Sequence, residues 1–202
     1  MKKATLSFTL LASVLLFGSC MNSGSPGNSS DTQLKINAPA EDDMKFVKDA
    51  ADGGMFEVMM GKYALEHATD PDVKMLGQHM FEDHSKANEE LKVLAQKKGI
   101  ELPTAVSDKH AKVYNDMMKK SGRDFDKAYS DQMVDDHKAD IPKFEAEGKK
   151  GTDPDIRSWA AGKVDVLKGH LQMAQNTVDA LKDKKDEKDL EHKKDMDGHN
   201  GK

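Results

Sequence analysis

The chain has 202 residues, of which 33% are charged, and a formal charge of -5. Acids and lysines are interspersed instead of gathering into a basic face, which excludes nucleic acid as a partner. A single cysteine excludes an intrachain disulfide, so a folded domain of about 140 residues must rest on its own apolar core.

Lys2 and Lys3 precede an apolar run from Ala4 to Phe17, followed by Gly18-Ser19-Cys20. The run is too short for a membrane span, and a basic start, short apolar stretch and small residues before cysteine make a lipoprotein signal. Residues 1–19 are read as the signal peptide and Cys20 as the lipidated first residue of the mature chain. Phe17 stands where such signals usually carry leucine, so plain cleavage and secretion is the alternative. Either outcome places the protein in the cell envelope, lipid-anchored to the outer membrane or facing the periplasm. Residues 20–40, rich in Ser, Gly, Asn and Pro, form a flexible tether between lipid and domain.

The domain proper spans residues 41–182. A first helix is predicted over 41–69, with Val47, Ala50, Gly54, Val58, Gly61, Leu65 and Ala68 recurring every three or four residues and Glu57 on the same face. A second, over 71–98, carries Val73, Leu76, Met80, Ala87, Leu91 and Leu94, with His84 filling the one gap in the stripe. Residues 99–122 contain a short amphipathic stretch near 107–120, long enough to cross the bundle or to cap its end. A third helix is predicted over 123–149, where Phe125, Tyr129, Met133, Ile141 and Phe144 bracket His137, and Pro142 should kink or interrupt it. A fourth, over 153–182, runs Ile156, Ala160, Leu167, Ala174, Val178 and Leu181 around His170, with Trp159 packing near its start. Residues 183–202 form a charged tail, first as a frayed helical extension; His192, Met196 and His199 there could scavenge metal, against the plainer reading of a solvated polar tail.

Each helix pair is joined by the same turn, Thr69-Asp70-Pro71-Asp72-Val73 and Thr152-Asp153-Pro154-Asp155-Ile156. An Asp cap with Pro at the first helical position is a strong helix start. The repetition suggests a duplicated helical hairpin, residues 41–98 matched loosely by 123–182. At 1.5 Å per residue, Glu57 and His84 lie about 21 and 20 Å from the first turn, and His137 and His170 about 26 and 24 Å from the second. If the turns share one end of the bundle, the pairs differ in height by about 5 Å; if they sit at opposite ends of helices about 42 Å long, the pairs meet within one turn. Both topologies bring the four side chains together near mid-height.

The stretches FVKDAADGGMFEVMMGKYAL, FEDHSKANEELKVLAQKKGIELP, FDKAYSDQMVDDH and VLKGHLQMA resemble the bacterial domain of unknown function 4142 over about residues 41–180. Phe125-Asp126-x-x-Tyr129 and the Asp-His pairs are the most specific marks. The resemblance implies an exported or membrane-attached protein with a ferritin-like four-helix bundle and a middle connection that crosses the bundle; with the short helix read from the residues near 107–120, between helices 2 and 3, the expected fold is all-α. The resemblance also implies an acid at Glu57 and histidines at His84, His137 and His170, and no established activity. Di-iron ferritins carry Glu-x-x-His on two helices, whereas Phe81, Val134 and Leu167 stand three residues before these histidines.

Three imidazoles and a carboxylate on the inner faces of four helices suit one transition metal ion, Zn, Mn, Fe or Cu. Asp126 and Tyr129 are candidates to support such a site from behind. Met60, Met80, Met133 and Met173 each lie one turn from a member of the set; as thioether ligands they would favour Cu(I), and as core residues they fill gaps. No P-loop, Gly-x-Ser-x-Gly elbow or His-Glu-x-x-His helix is present to indicate another chemistry. Two functions follow: a lipid-anchored envelope protein that binds a transition metal through Glu57, His84, His137 and His170, or a non-catalytic envelope stress or interaction module in which those residues are a structural polar core.

Overall fold

A computed structural model describes residues 38–199, with side chains as far as residue 184. The expected signal peptide, Cys20 and nearly all of the tether lie outside the described residues. Five helices follow: α1 (Glu41–His67), α2 (Pro71–Lys98), α3 (Asp108–Met117), α4 (Gly122–Lys150) and α5 (Pro154–His199). There is no strand among the described residues, and no helix of theirs is long and apolar enough to cross a membrane. The fold is an all-α bundle of four long helices with a short one in the middle connection.

The helix starts are written in local chemistry. Asp70 accepts from Asp72 N at 2.9 Å with Pro71 at the first position of α2, and Asp153 accepts from Asp155 N and Ile156 N at 2.9 and 3.1 Å at the start of α5. These bonds satisfy amide donors that a helix leaves unpaired at its N-terminus. Gly99 ends α2 in the left-handed region, φ 67°, where a side chain would be strained.

The two repeated turns lie at opposite ends of the bundle, and buried acids show it. Asp126, near the start of α4, accepts from Thr69 N and Asp70 N at 3.0 and 2.9 Å. Asp43, in the first turn of α1, accepts from Thr152 N and Asp153 N at 3.0 and 2.6 Å. Each hairpin thus closes the other's turn. Lys98 at the end of α2 also reaches Asp153, and Lys184 in α5 reaches Asp70, so α2 and α4 run one way and α1 and α5 the other. The segment between α2 and α4, with α3 inside it, therefore crosses the length of the bundle.

α1 packs chiefly on α2, and α4 on α5. The α1–α2 approach is close because Gly61 faces Gly77: a Cβ on Gly61 would fall 2.7 Å from the Gly77 carbonyl oxygen. The core is in two parts. Phe56, Met60, Leu76, Met80, Phe125, Tyr129 and Met133 fill one end; Val47, Ala51, Leu91, Ala95, Ile100 and Ile156 fill the other. The acid and histidines lie between them at mid-height.

Two expectations need correction. Leu65 is 37% exposed, because the buried face of α1 steps through Phe56, Met60 and Ala64. Pro142 does not interrupt α4. Pro142 and Lys138, whose carbonyl lacks its amide partner, are both exposed, so water can take the lost bond. α5 continues to His199, so the helical extension expected past residue 182 runs through nearly all of the charged tail, where Lys and Glu favour helix although the Asp residues do not.

Candidate metal centre

Each helix of the bundle contributes one member at the level between the two apolar clusters: Glu57 from α1, His84 from α2, His137 from α4 and His170 from α5. All four are buried, His137 completely. One ring nitrogen from each histidine can be chosen so that the three lie within 4.8 Å of one another. The closest pair is His137 Nε2 and His170 Nδ1, 3.3 Å apart.

Hydrogen bonds behind the rings decide what those nitrogens are. His137 Nδ1 lies 2.9 Å from the Met133 carbonyl oxygen; a carbonyl only accepts, so Nδ1 carries the proton and Nε2 a lone pair. His170 Nε2 lies 2.9 Å from Asp83 Oδ2 and donates to it, leaving Nδ1 as a lone pair. The 3.3 Å contact is therefore between two lone pairs, an arrangement that calls for a cation between them. Burial works against a proton in that place. Burial, then His170, holds His137 down to about 4, and burial lowers His170 despite Asp83. His84 is pushed well below the usual imidazole range by burial and by the other two rings. Its Nε2 is buried without a hydrogen-bond partner.

Glu57 lies to one side of the trio, Oε2 3.0 Å from His84 Nδ1 and Oε1 3.5 Å from His137 Nδ1. Burial raises its carboxyl well above the ordinary value, and Asp140 and Asp136 on α4 raise it further. Asp136 is itself pushed up to about 6, chiefly by burial and then by Asp140, against the lowering bond from Gln132. The surroundings on the α4 side are thus acidic, a field that favours a positive guest.

Other residues singled out in the sequence sit elsewhere. Asp126 is spent on the first turn, remote from the histidines. Tyr129 is a core residue stacked on Phe125 at 5.8 Å; its hydroxyl is buried without a partner, and burial with Glu57 raises its pKa. Met60, Met80 and Met133 belong to the apolar cluster at one end, and Met173 packs against it. Trp159 packs against Phe46 and Phe144 at 6.3 and 5.8 Å. Sequence reasoning missed Asp83, although it stands next to His84: it serves His170 across the helix interface, not its neighbour.

Comparison with family models matches residues 28–177 to a domain of unknown function (DUF4142). No curated protein and no solved structure matches the chain.

Proposed function

The chain belongs to the DUF4142 family, and from that membership, which carries no activity, we propose that it is a lipid-anchored envelope protein whose bundle binds one transition metal ion. His84, His137 and His170 are the ligands, and Glu57 stands against the Nδ1 sides of His84 and His137. The carrying observation is the pair of lone-pair nitrogens at 3.3 Å. With bonds of about 2.1 Å and tetrahedral angles, neighbouring ligand atoms are about 3.4 Å apart, so the His137–His170 edge already fits. His84, which has an unpartnered Nε2, completes the set by a side-chain rotation. Backing of metal-bound histidines by carbonyls and carboxylates is the usual way to fix their tautomer, and the Met133 carbonyl and Asp83 supply it here. Zn, Mn, Fe and Cu all accept imidazole and carboxylate.

A structural polar core is favoured by the same backing bonds, since His137 and His170 each have one satisfied nitrogen. That reading leaves the facing nitrogens unmatched and His84 Nε2 orphaned, which is costly in a buried network. The test is metal analysis and calorimetric unfolding of protein purified without a histidine tag, after exposure to Zn, Mn, Fe(II) and Cu. The metal reading expects one ion per chain and a rise in unfolding temperature that His137→Gln abolishes. Indifference of the wild type to all four ions would favour the structural core.

The anchor is supported by Lys2, Lys3, the Ala4–Phe17 run and Cys20. Cells labelled with a fatty-acid analogue should incorporate it into the wild type and not into Cys20→Ser; equal labelling would remove the anchor.

A further inference from the structure

Beside the histidines the core is open. A cavity of about 110 Å³ runs between the helices, bordered by His84, His170 and Glu57 and walled by Ala87, Phe144 and Leu167. A larger cavity of 150 Å³ in another protein holds benzene, so this one admits a ligand of a few atoms. Three imidazoles leave a tetrahedral ion with a fourth position for an exogenous ligand.

The polar groups of the cavity select its charge. Lys163 is paired with Glu90, and Asp140 with Lys143. The charges left are a divalent ion and Lys86 against Asp83 and Glu57, and because burial favours the neutral form of Glu57 the balance is positive whether or not that carboxyl is ionised. Asn88 stands one turn beyond His84 on the same face of α2 and borders the same cavity. It is held there because Gly54 opposite has no side chain: a Cβ on Gly54 would fall 2.1 Å from Asn88 Oδ1. The Trp159 indole N–H, also on the cavity wall, is buried without a partner. The acids are engaged, and apart from His84 Nε2, assigned to the ion, the buried group left without a partner on this wall is a donor.

The geometry points to this cavity as the binding site of a small monoanion, of azide or formate size, that takes the open position of the metal and accepts a hydrogen bond from the Asn88 amide. The inference rests on the metal reading, and the experiment separates the two. The full chain is loaded with one equivalent of Co(II) and titrated with azide and, separately, formate. The visible spectrum reports on the ion, and the fluorescence of Trp159, the one tryptophan of the chain, reports on the cavity. A saturable one-to-one change in both is expected. Asn88→Asp, which puts a negative charge at the ligand, and Ala87→Leu, which fills the space, should keep cobalt but weaken azide at least tenfold. Cobalt bound with the wild-type spectrum unmoved by either anion overturns the anion site and leaves the metal reading intact. An anion response equal in wild type, Asn88→Asp and Ala87→Leu also overturns it, because binding is then elsewhere. Failure to bind cobalt in a form lost on His137→Gln overturns both.

Discussion

At the scale of the residue, Glu57 and His137 make different predictions although both touch the same site. His137 presents a lone pair to His170 and on the metal reading is a ligand, so His137→Gln should abolish metal stabilisation. Glu57 stands on the Nδ1 side of the rings, so Glu57→Gln should weaken the ion about 10- to 100-fold while keeping one ion per chain; isothermal titration of the two variants checks this. Complete loss in Glu57→Gln would make the carboxylate a ligand. A second residue carries a pH prediction. Glu147 is pushed up to about 7 by burial, then by Asp43, with Asp42 and Asp153 adding to it. A folded value raised above the unfolded one contributes stability that is full below about pH 4.5 and lost as pH rises through about 7. The buried histidines, lowered in the folded state, pull the other way below about pH 6.5, so the prediction is a difference: Glu147→Gln should gain stability relative to the wild type as pH rises from 5 to 8, by about 1 kcal/mol after allowance for solvent screening. Lys98, which neutralises Asp153, is raised by that pairing and by Asp155 and keeps its charge throughout this window; Arg157 faces the same turn, bonded to the Gly151 carbonyl.

The helices and their turns give predictions that owe nothing to metal. Asp126→Ala would leave the Thr69 and Asp70 amides without acceptors in a nearly buried setting, at a cost of about 1–3 kcal/mol, and Asp43→Ala should cost the same at the opposite end. Denaturant titration would show both; a neutral result would mean that water replaces the carboxylates. Gly77→Val should cost about 1–3 kcal/mol by forcing α1 and α2 apart. Pro142→Ala should raise stability, because it restores the amide that Lys138 lacks in a helix that already has the right shape. At this scale much was legible: Asp-Pro starts, apolar stripes and the level of His84, His137 and His170 all follow from rise per residue. What was not legible depended on how helices meet. Leu65 faces water because the close Gly61–Gly77 approach goes with a buried face stepping through Met60 and Ala64. Asp83 was missed because helix spacing says nothing of which carboxylate a ring reaches in a neighbouring helix. Asp43 and Asp126 looked like ordinary acids near helix starts, and only the opposed turns reveal their partners.

For the molecule as a whole, the polar layer divides the core into two apolar clusters, and on the metal reading that layer is where an ion would act on stability. Replacing Glu57, His84, His137 and His170 together by leucine or methionine should make the metal-free protein as stable as the wild type or more so, since buried polar groups are retained at some cost, and should erase any stabilisation by ions. Thermal unfolding of the two proteins with and without zinc is the measurement; a quadruple variant that fails to fold would show that the layer also fixes helix register.

Asp43 and Asp126 are 83 residues apart, as are the two Thr-Asp-Pro-Asp turns they close. The reciprocal bonds make the hairpins a mutual lock, in which neither loop is fastened until the other half arrives. Covalent continuity between the halves is then dispensable. A single protease cut within residues 100–106 should yield two fragments that still elute as one particle and melt together, whereas either fragment alone should be largely unstructured. In this architecture the histidines do not follow the 83-residue repeat, since Gly54, Ala87 and Leu167 occupy the corresponding places. The frame is two-fold, but its contents are single, and an assembly of two identical first hairpins would close both loops while carrying His84 twice and neither His137 nor His170.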